Sequence, residues 1–243
     1  MNKILPWSLL AGALIAGNAL AAPINQSYDT FGTLAGATFG GSGIPNDAVA
    51  VAVTNLGNSA GDPQVTLGLT AHQRYSNPAL TNDGAGIFFA SPGVDTNAPS
   101  PANPYATWNV GFYVGGDDLN AYNYKLLYDF NPGFNTDESE HGQFSFPSGF
   151  GGPIQDSWNM GMDFLGGEIP GFIAPPSFAS FDPNSAGEYS FALVAYDTQG
   201  LEVDRSAIVV RVGQVPEPGT LALLGLGLIG LAGIRGRAGN RGG

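Results

Sequence analysis

The sequence predicts an all-β fold over residues 22–214, an antiparallel β-sandwich of the immunoglobulin-like or jelly-roll kind. Short runs of alternating apolar and polar residues recur there between turn-forming clusters, and no segment keeps a sustained helical period. Glycine and proline are frequent, with 37 and 18 residues in a chain of 243. A region of this length can bury one sizeable core, so we expect one domain.

Two early runs predict a hairpin. Val49, Val51 and Val53 alternate with smaller residues between Asp47 and Asn55, and a second alternating run extends from Gln64 to Thr70. A cluster of turn-forming residues separates them.

A second hairpin is predicted from the aromatic runs Thr107–Val114 and Tyr122–Phe130, which flank the turn sequence Gly-Gly-Asp-Asp at 115–118. The short apolar piece Ile87–Ala90 comes before them. Residues 131–171 are rich in glycine and proline and contain two brief apolar pieces, Gln143–Phe146 and Ser157–Leu165. One of these pieces is expected to be a strand or a short helical turn.

Gly187–Asp197 and Leu201–Val212 predict the last hairpin. This hairpin resembles the final one of many immunoglobulin-like sandwiches, with Tyr189 in the place of a tyrosine corner.

Net charge and cysteine content exclude several classes of partner and chemistry. The chain has a formal net charge of −12, and 19 of its 20 acidic residues lie within 22–214. Such a field repels phosphate backbones, so nucleic acid is excluded as an expected partner. The chain has no cysteine, which excludes disulfides, thiol chemistry and cysteine-based zinc sites.

Residues 1–21 have the pattern of a signal peptide. Lys3 precedes an apolar stretch, and Ala19 and Ala21 fit the small-x-small rule for signal peptidase. Cleavage after Ala21 would make Ala22 the new N-terminus, so the mature protein is expected to be exported.

Residues 215–243 carry a second signal in three parts. Val215 leads into the stiff step Pro216-Glu217-Pro218, which the fixed φ of proline holds extended. An apolar run from Leu221 to Ile234 predicts a transmembrane helix of roughly 21 Å, short for a hydrocarbon core of about 30 Å. The arginines that follow would stop translocation and stay on the cytoplasmic side. They are Arg235, Arg237 and Arg241.

This three-part tail resembles the PEP-CTERM sorting signal of Gram-negative bacteria. The resemblance implies that an exosortase recognises and removes the tail, so that the precursor is anchored in the inner membrane only transiently. It also implies a destination at the cell surface or in an extracellular biofilm matrix.

Two short motifs have simpler explanations than catalysis. Gly225, Gly227 and Gly230 spell a dinucleotide fingerprint, but they lie within the apolar run without a preceding strand. Gly57–Gly61 matches GxSxG, but Asp62-Pro63 leads into another strand rather than a helix, so Ser59 is expected to be a turn residue.

No catalytic residue can be named from the sequence, and we expect a protein that is not an enzyme. His72 and His141 are far apart in the chain, and the many carboxylates cannot be paired without a structure. The expected role is structural or adhesive, with binding of exopolysaccharide by exposed aromatic residues. Tyr113, Tyr196 and Trp158 are candidates for stacking on sugars.

The alternative is an extracytoplasmic polysaccharide-active hydrolase. A cleft with two facing carboxylates would favour this enzyme, and an aromatic-lined face would favour binding.

No cofactor is required by the sequence, although one loop allows calcium. Asp129, Asp137 and Glu140 have part of the spacing of an EF-hand, but Phe134 stands where that loop needs glycine. A looser calcium site of Asp129, Asp137, Glu138 and Glu140 stays open beside the alternative of a solvated acidic loop.

Overall fold

The computed structural model describes residues 22–57, 63–74, 80–99, 104–149 and 151–214. These residues contain no α-helix, and three 3-10 helices lie at Leu119–Ala121, Glu138–Glu140 and Asp163–Gly166. The strands within the described ranges are β1 (Thr30–Gly32), β2 (Val49–Asn55), β3 (Gln64–Gln73), β4 (Thr81–Asn82), β5 (Ile87–Ala90), β6 (Trp108–Gly116), β7 (Asn123–Tyr128), β8 (Gly142–Ser145), β9 (Ile154–Trp158), β10 (Ile173–Ala174), β11 (Gly187–Tyr196) and β12 (Glu202–Val212).

No helix formed by these residues has both the length and the apolar character needed to cross a membrane. The predicted signal peptide, residues 1–21, and the predicted transmembrane run, Leu221–Ile234, lie outside the described residues.

The strands form two sheets. One has five strands in the order β1-β2-β3-β6-β9, and the other has seven in the order β10-β8-β7-β11-β12-β5-β4. The predicted all-β sandwich is confirmed. The prediction of purely antiparallel pairing is wrong at one position, because β5 runs parallel to β12. These two strands are far apart in the sequence, so no tight turn forces them to run in opposite directions.

Alternate residues of both sheets fill the space between them. From the five-stranded sheet, β6 buries Trp108, Val110, Phe112 and Val114, and from the opposite sheet β11 buries Tyr189, Phe191, Leu193 and Ala195. The rings of Trp108 and Phe191 meet edge to face, with centroids 6.1 Å apart. Burial of this apolar area is the main stabilising contribution.

The first and last predicted hairpins are confirmed, since β2 pairs with β3 and β11 pairs with β12. Ala48, just before β2, and Ala50 and Ala52 of β2 face the core, and the valines of β2 face outward. Small side chains let the sheets approach closely here, and the Ser206 hydroxyl of β12 donates to the Ala50 carbonyl at 2.7 Å.

The second predicted hairpin is wrong. β6 lies between β3 and β9, whereas β7 lies between β8 and β11 in the other sheet. Between them, Asp118 caps the 3-10 helix by accepting a hydrogen bond from the Asn120 N–H, and Leu119 enters the core. The chain therefore crosses between sheets instead of turning back. Both strands place alternate residues in the core, but alternation does not distinguish a turn within a sheet from a crossing between sheets.

The strand order favours the immunoglobulin-like alternative. The neighbours β8-β7-β11-β12 and β6-β9 follow the order of strands C′-C-F-G and B-E in immunoglobulin sandwiches. The Tyr189 hydroxyl donates to the carbonyl of Ser185, four residues upstream, at 3.2 Å. This contact is the tyrosine corner that the sequence predicts.

Segments outside the sheets cover parts of both outer faces. Ile24 packs on Leu127, Ala192 and Ala207 of the seven-stranded sheet. On the five-stranded sheet, a loop of residues 33–46 buries Phe39 completely, together with Val49 of β2. This loop forms one wall of the cleft described below.

Candidate binding cleft

Most of the residues predicted to direct processing lie outside the described residues. These are Ala19 and Ala21 of the signal peptide, Val215, Pro216, Glu217 and Pro218 of the sorting motif, and Arg235, Arg237 and Arg241 of the basic tail. Ala22 is described; it is exposed, and its carbonyl accepts a hydrogen bond from the Glu138 N–H at 3.2 Å. Of the GxSxG motif, Gly57 is described and residues 58–61 are not.

The four candidate calcium ligands point to different partners. Asp129 is 1% exposed, and its Oδ1 accepts a hydrogen bond from the Asn131 N–H at 2.8 Å. Asp137 caps the 3-10 helix Glu138–Glu140, where its Oδ1 accepts from the Ser139 N–H at 2.9 Å and from the Ser139 hydroxyl at 2.6 Å. These hydrogen bonds lower the pKa of Asp137.

The carboxylates of Glu138 and Glu140 also have partners within the protein. Glu138 forms an ion pair with Arg205 of β12 at 2.8 Å, and Glu140 accepts a hydrogen bond from the Asn131 side chain at 3.4 Å. Within the part of the chain that the structure describes, no three acidic or histidine side chains are grouped so that they could share a metal ion. The calcium site stays a prediction.

A cleft with a volume of about 720 Å³ opens on the outer side of the five-stranded sheet. Its lining comes from the loop of residues 39–45, the end of β3, the segment before β6, and β9. The described lining residues are Phe39, Gly40, Gly41, Ser42, Gly43, Ile44, Pro45, His72, Gln73, Arg74, Pro99, Tyr105, Asn109, Asp156, Ser157, Asn159 and Met162.

The glycine-rich wall is anchored to the edge strand β9. The Gln155 side-chain oxygen accepts hydrogen bonds from the Thr38 and Phe39 N–H groups at 2.8 and 3.0 Å. Phe39 has a φ of 48°, in the left-handed region, and its ring lies on the sheet beside Gly111. A Cβ at Gly111 would lie 3.0 Å from that ring, closer than an ordinary van der Waals contact, so the glycine favours this close approach of the loop.

Polar side chains from three adjacent strands meet at the floor of the cleft. The Ser157 Oγ of β9 lies 2.8 Å from the His72 Nε2 of β3 and 2.9 Å from the Asn109 Nδ2 of β6. Asn159 is fully buried, and its Nδ2 donates to the Asn109 Oδ1 at 2.8 Å. The pairing of β3, β6 and β9 brings these residues together on one face.

His72 is held as a neutral imidazole. Its Nδ1 lies 2.9 Å from the backbone carbonyl of Gln73, which can only accept, so Nδ1 carries the proton and Nε2 accepts from Ser157. Burial lowers the pKa of His72 below its ordinary value, and the hydrogen bond to the Gln73 carbonyl partly opposes this effect.

One end of the cleft combines a cation with an aromatic ring. The Arg74 guanidinium lies 4.3 Å from the centroid of the Tyr105 ring, and its Nε is 3.3 Å from Asp95. Both Arg74 and Tyr105 line the cleft, and Asp156 is the one carboxylate among its described lining residues.

The three aromatic candidates for sugar stacking lie elsewhere. Trp158 packs in the core against Phe112, with ring centroids 4.8 Å apart. Tyr113 packs at the edge of the Phe39 cluster, and Tyr196 lies on the other sheet beneath Lys125.

The floor of the cleft is not predicted by the sequence. His72 follows Thr66, Gly68 and Thr70 on the face of β3 that points away from the core, and this period-two signal is present in the sequence. The signal shows a polar outer face but not its neighbours, because the pairing of β3 with β6 and of β6 with β9 joins segments up to 85 residues apart.

Comparison with known families finds one match. Residues 214–238 match the model of the PEP-CTERM protein-sorting motif. Curated proteins give no significant match to the chain. The motif implies that this β-sandwich protein is exported and sorted by an exosortase, with a membrane-anchored sorting signal at the C-terminus. The resemblance noted in the sequence is confirmed for this segment.

Proposed function

We propose that this exosortase-sorted protein has a structural or adhesive role at the cell surface or in the extracellular matrix, where its β-sandwich binds a neutral polysaccharide in the cleft. The observation that carries the proposal is the lining of the cleft. Amide, hydroxyl and imidazole groups converge there beside the Tyr105 ring. Sugars present hydroxyl groups for such hydrogen bonds and apolar C–H faces for stacking on a ring.

The charges favour a neutral polymer over an anionic one. The whole chain has a net charge of −12, and the Arg74 guanidinium in the cleft is paired with Asp95. A polyanion would therefore meet repulsion over most of the surface.

The lining also favours binding over glycoside hydrolysis. Cleavage of a glycosidic bond normally uses two carboxylates that flank it, about 5–10 Å apart. The described lining residues provide Asp156 alone, and its oxygens accept hydrogen bonds from the Ser157 N–H and the Trp158 indole at 2.8 and 2.9 Å.

A pair of tyrosine variants tests the binding proposal. Tyr105 and Tyr196 each have a cation over the ring, but only Tyr105 lines the cleft. We expect Tyr105→Ala to weaken binding of the neutral exopolysaccharide of the native host by roughly 3- to 10-fold, and Tyr196→Ala to leave it unchanged. Affinity electrophoresis and calorimetry measure this effect. Equal affinities in both variants, or no binding by the wild type, would overturn the proposal.

The route to the surface follows from the order of the segments. We propose that Sec-dependent export and signal peptidase cleavage after Ala21 precede a pause on the Leu221–Ile234 segment. An exosortase then recognises Pro216-Glu217-Pro218 and cleaves near it.

Replacement of Pro216, Glu217 and Pro218 by alanines is expected to leave the protein in the inner membrane with its tail attached. Cell fractionation and intact mass measurement of the recovered protein give the readout. Normal release of this variant would contradict exosortase recognition at the motif.

A further inference from the structure

At the floor of the cleft lies Ser157, and its hydroxyl proton is donated to His72. The Gln73 carbonyl fixes the His72 proton on Nδ1, so His72 Nε2 presents a lone pair. Ser157 Oγ lies 2.8 Å from that nitrogen, and therefore its O–H donates to the imidazole. This is the hydrogen bond that a base needs in order to activate a nucleophile.

The side-chain amide of Asn109, the other neighbour of Ser157, also has a fixed orientation. The Asn159 side-chain oxygen accepts from the Ala106 N–H at 2.9 Å, which places its Nδ2 toward Asn109. Asn109 must then present its Oδ1 to Asn159 and its Nδ2 to Ser157, at 2.9 Å. Ser157 accepts this single N–H, which leaves a second lone pair of Oγ for bond formation.

Access to the cleft distinguishes the Ser157–His72 pair from a second serine–histidine pair in the same protein. Ser190 Oγ lies 2.8 Å from His141 Nε2, and His141 Nδ1 is 3.0 Å from the Asp137 carbonyl. These two residues are 5% and 4% exposed, and neither lines the cleft. Ser157 is half-buried and lines a cleft of about 720 Å³. The hydrogen-bond pattern is shared, but only Ser157 faces a space that a ligand can enter.

We propose that Ser157 is a nucleophile and His72 its general base, and that the cleft hydrolyses small oxygen esters of carboxylic acids, such as acyl groups carried on sugar hydroxyls. This activity goes beyond saccharide binding and does not depend on it. It departs from the expectation, drawn from the sequence alone, that the protein is not an enzyme.

The reaction balances without a cofactor. Ser157 Oγ forms a bond to the ester carbonyl carbon while its proton passes to His72 Nε2. The tetrahedral intermediate collapses, the C–O bond to the alcohol breaks, and His72 returns the proton to the leaving oxygen. Water then attacks the acyl–Ser157 ester while its proton passes to His72 Nε2. The C–O bond to Ser157 breaks, His72 returns the proton to Oγ, and the carboxylic acid leaves. The net change is ester plus water to acid plus alcohol.

Asn109 is suited to stabilise the charge that develops. Its Nδ2 lies 2.9 Å from Ser157 Oγ, so it is within reach of an oxygen on a carbon bonded to that atom. The partner of the imidazole is a backbone carbonyl instead of a carboxylate, which stabilises an imidazolium less. We therefore expect turnover to be slower than in enzymes with a full triad.

A fluorophosphonate probe tests the nucleophile directly, because attack by an activated serine expels fluoride and leaves a phosphonylated Oγ. We expect the full-length protein to be labelled at Ser157, as located by peptide mass spectrometry. Ser157→Ala should abolish labelling, and His72→Gln should slow it by roughly 100-fold or more. Ser190→Ala is the matched control and should be labelled at the wild-type rate.

Folding is checked by circular dichroism, and heat-denatured wild type should not react. The proposal is overturned if folded wild type is not labelled, if the label falls on other serines, or if folded His72→Gln reacts at the wild-type rate.

Hydrolysis of p-nitrophenyl acetate provides a second readout, with the same ranking of variants expected. Saccharide binding is measured separately on Ser157→Ala. Retained binding with lost labelling supports both proposals, whereas labelling without any saccharide binding overturns only the binding proposal.

Discussion

The Nε2 atom of His141 lies 3.8 Å from the Oδ2 atom of Asp129, and both side chains are at most 2% exposed. This carboxylate lies just after β7, in the interior of the fold, and not in the solvated acidic loop that the sequence leaves open as the alternative to a calcium site. Burial raises the pKa of Asp129, and the attraction of His141 and hydrogen bonds to the charged form partly oppose the shift.

The raised pKa of Asp129 predicts an unusual pH dependence. The folded protein holds this proton more tightly than the unfolded chain, so the stability from this group is present below pH 3.8 and is lost as the pH rises through the folded pKa. Asp129→Asn removes the titration. We expect the difference in free energy of unfolding, variant minus wild type, to become more positive between about pH 3 and neutrality. Urea unfolding at a series of pH values measures it.

Asp137→Asn is the control with the opposite sign. Hydrogen bonds from Ser139 lower the pKa of Asp137, so its contribution is present above pH 3.8 and is lost as the pH falls. The difference in free energy of unfolding, Asp137→Asn minus wild type, should become more negative as the pH rises. The same trend in both variants would contradict this assignment.

Gly187 lies where the start of β11 meets the backbone of Pro132. A Cβ at this position would collide with the Pro132 carbonyl oxygen and lie 2.7 Å from the Pro132 Cβ. Gly187→Ala should lower the free energy of unfolding by about 1–3 kcal/mol. Gly151→Ala, where a Cβ meets nothing within 4 Å, should change it by less than about 0.5 kcal/mol. Equal denaturation midpoints for the two variants would show that the close approach is absent in solution.

Phe39 connects the stability of the domain to the shape of the cleft. It is fully buried on the outer face of the five-stranded sheet and carries one wall of the cleft. Phe39→Ala should cost about 3–5 kcal/mol. Phe178→Ala, at a side chain that is 42% exposed, is a control expected within about 0.5 kcal/mol of wild type. A small effect of Phe39→Ala on thermal unfolding would mean that the loop does not pack as described.

Calcium is expected to leave the melting temperature unchanged. Asp129, Asp137, Glu138 and Glu140 already have hydrogen-bonding or ionic partners, and binding would require these contacts to break. Ligands that bind only the folded state raise the melting temperature. Differential scanning calorimetry with calcium and with a chelator provides the measurement. A rise with calcium that Asp137→Asn abolishes would instead support the calcium site.

Strand positions could be read from the sequence because local alternation reports which face is buried. The short apolar piece Ile87–Ala90 is a strand with the same bounds, and the predicted hairpin Gly187–Asp197 with Leu201–Val212 is confirmed. The partner of β6 could not be read, because Leu119 and its 3-10 turn send the chain into the other sheet. Local alternation does not report which strands are neighbours. The sequence of β3, β6 and β9 therefore did not predict that His72, Asn109 and Ser157 meet.

By itself, the sequence determined the fold class and the sorting motif, because each depends on residues that are close together in the chain. Alternation and composition act within a strand, and the sorting motif is read as one continuous segment. The tertiary structure alone decided which strands are neighbours and what lines the cleft. Ser157 and His72 are 85 residues apart and come within 2.8 Å only because β6 lies between β3 and β9. That order is set by packing of the two sheets over one core, which no local pattern encodes.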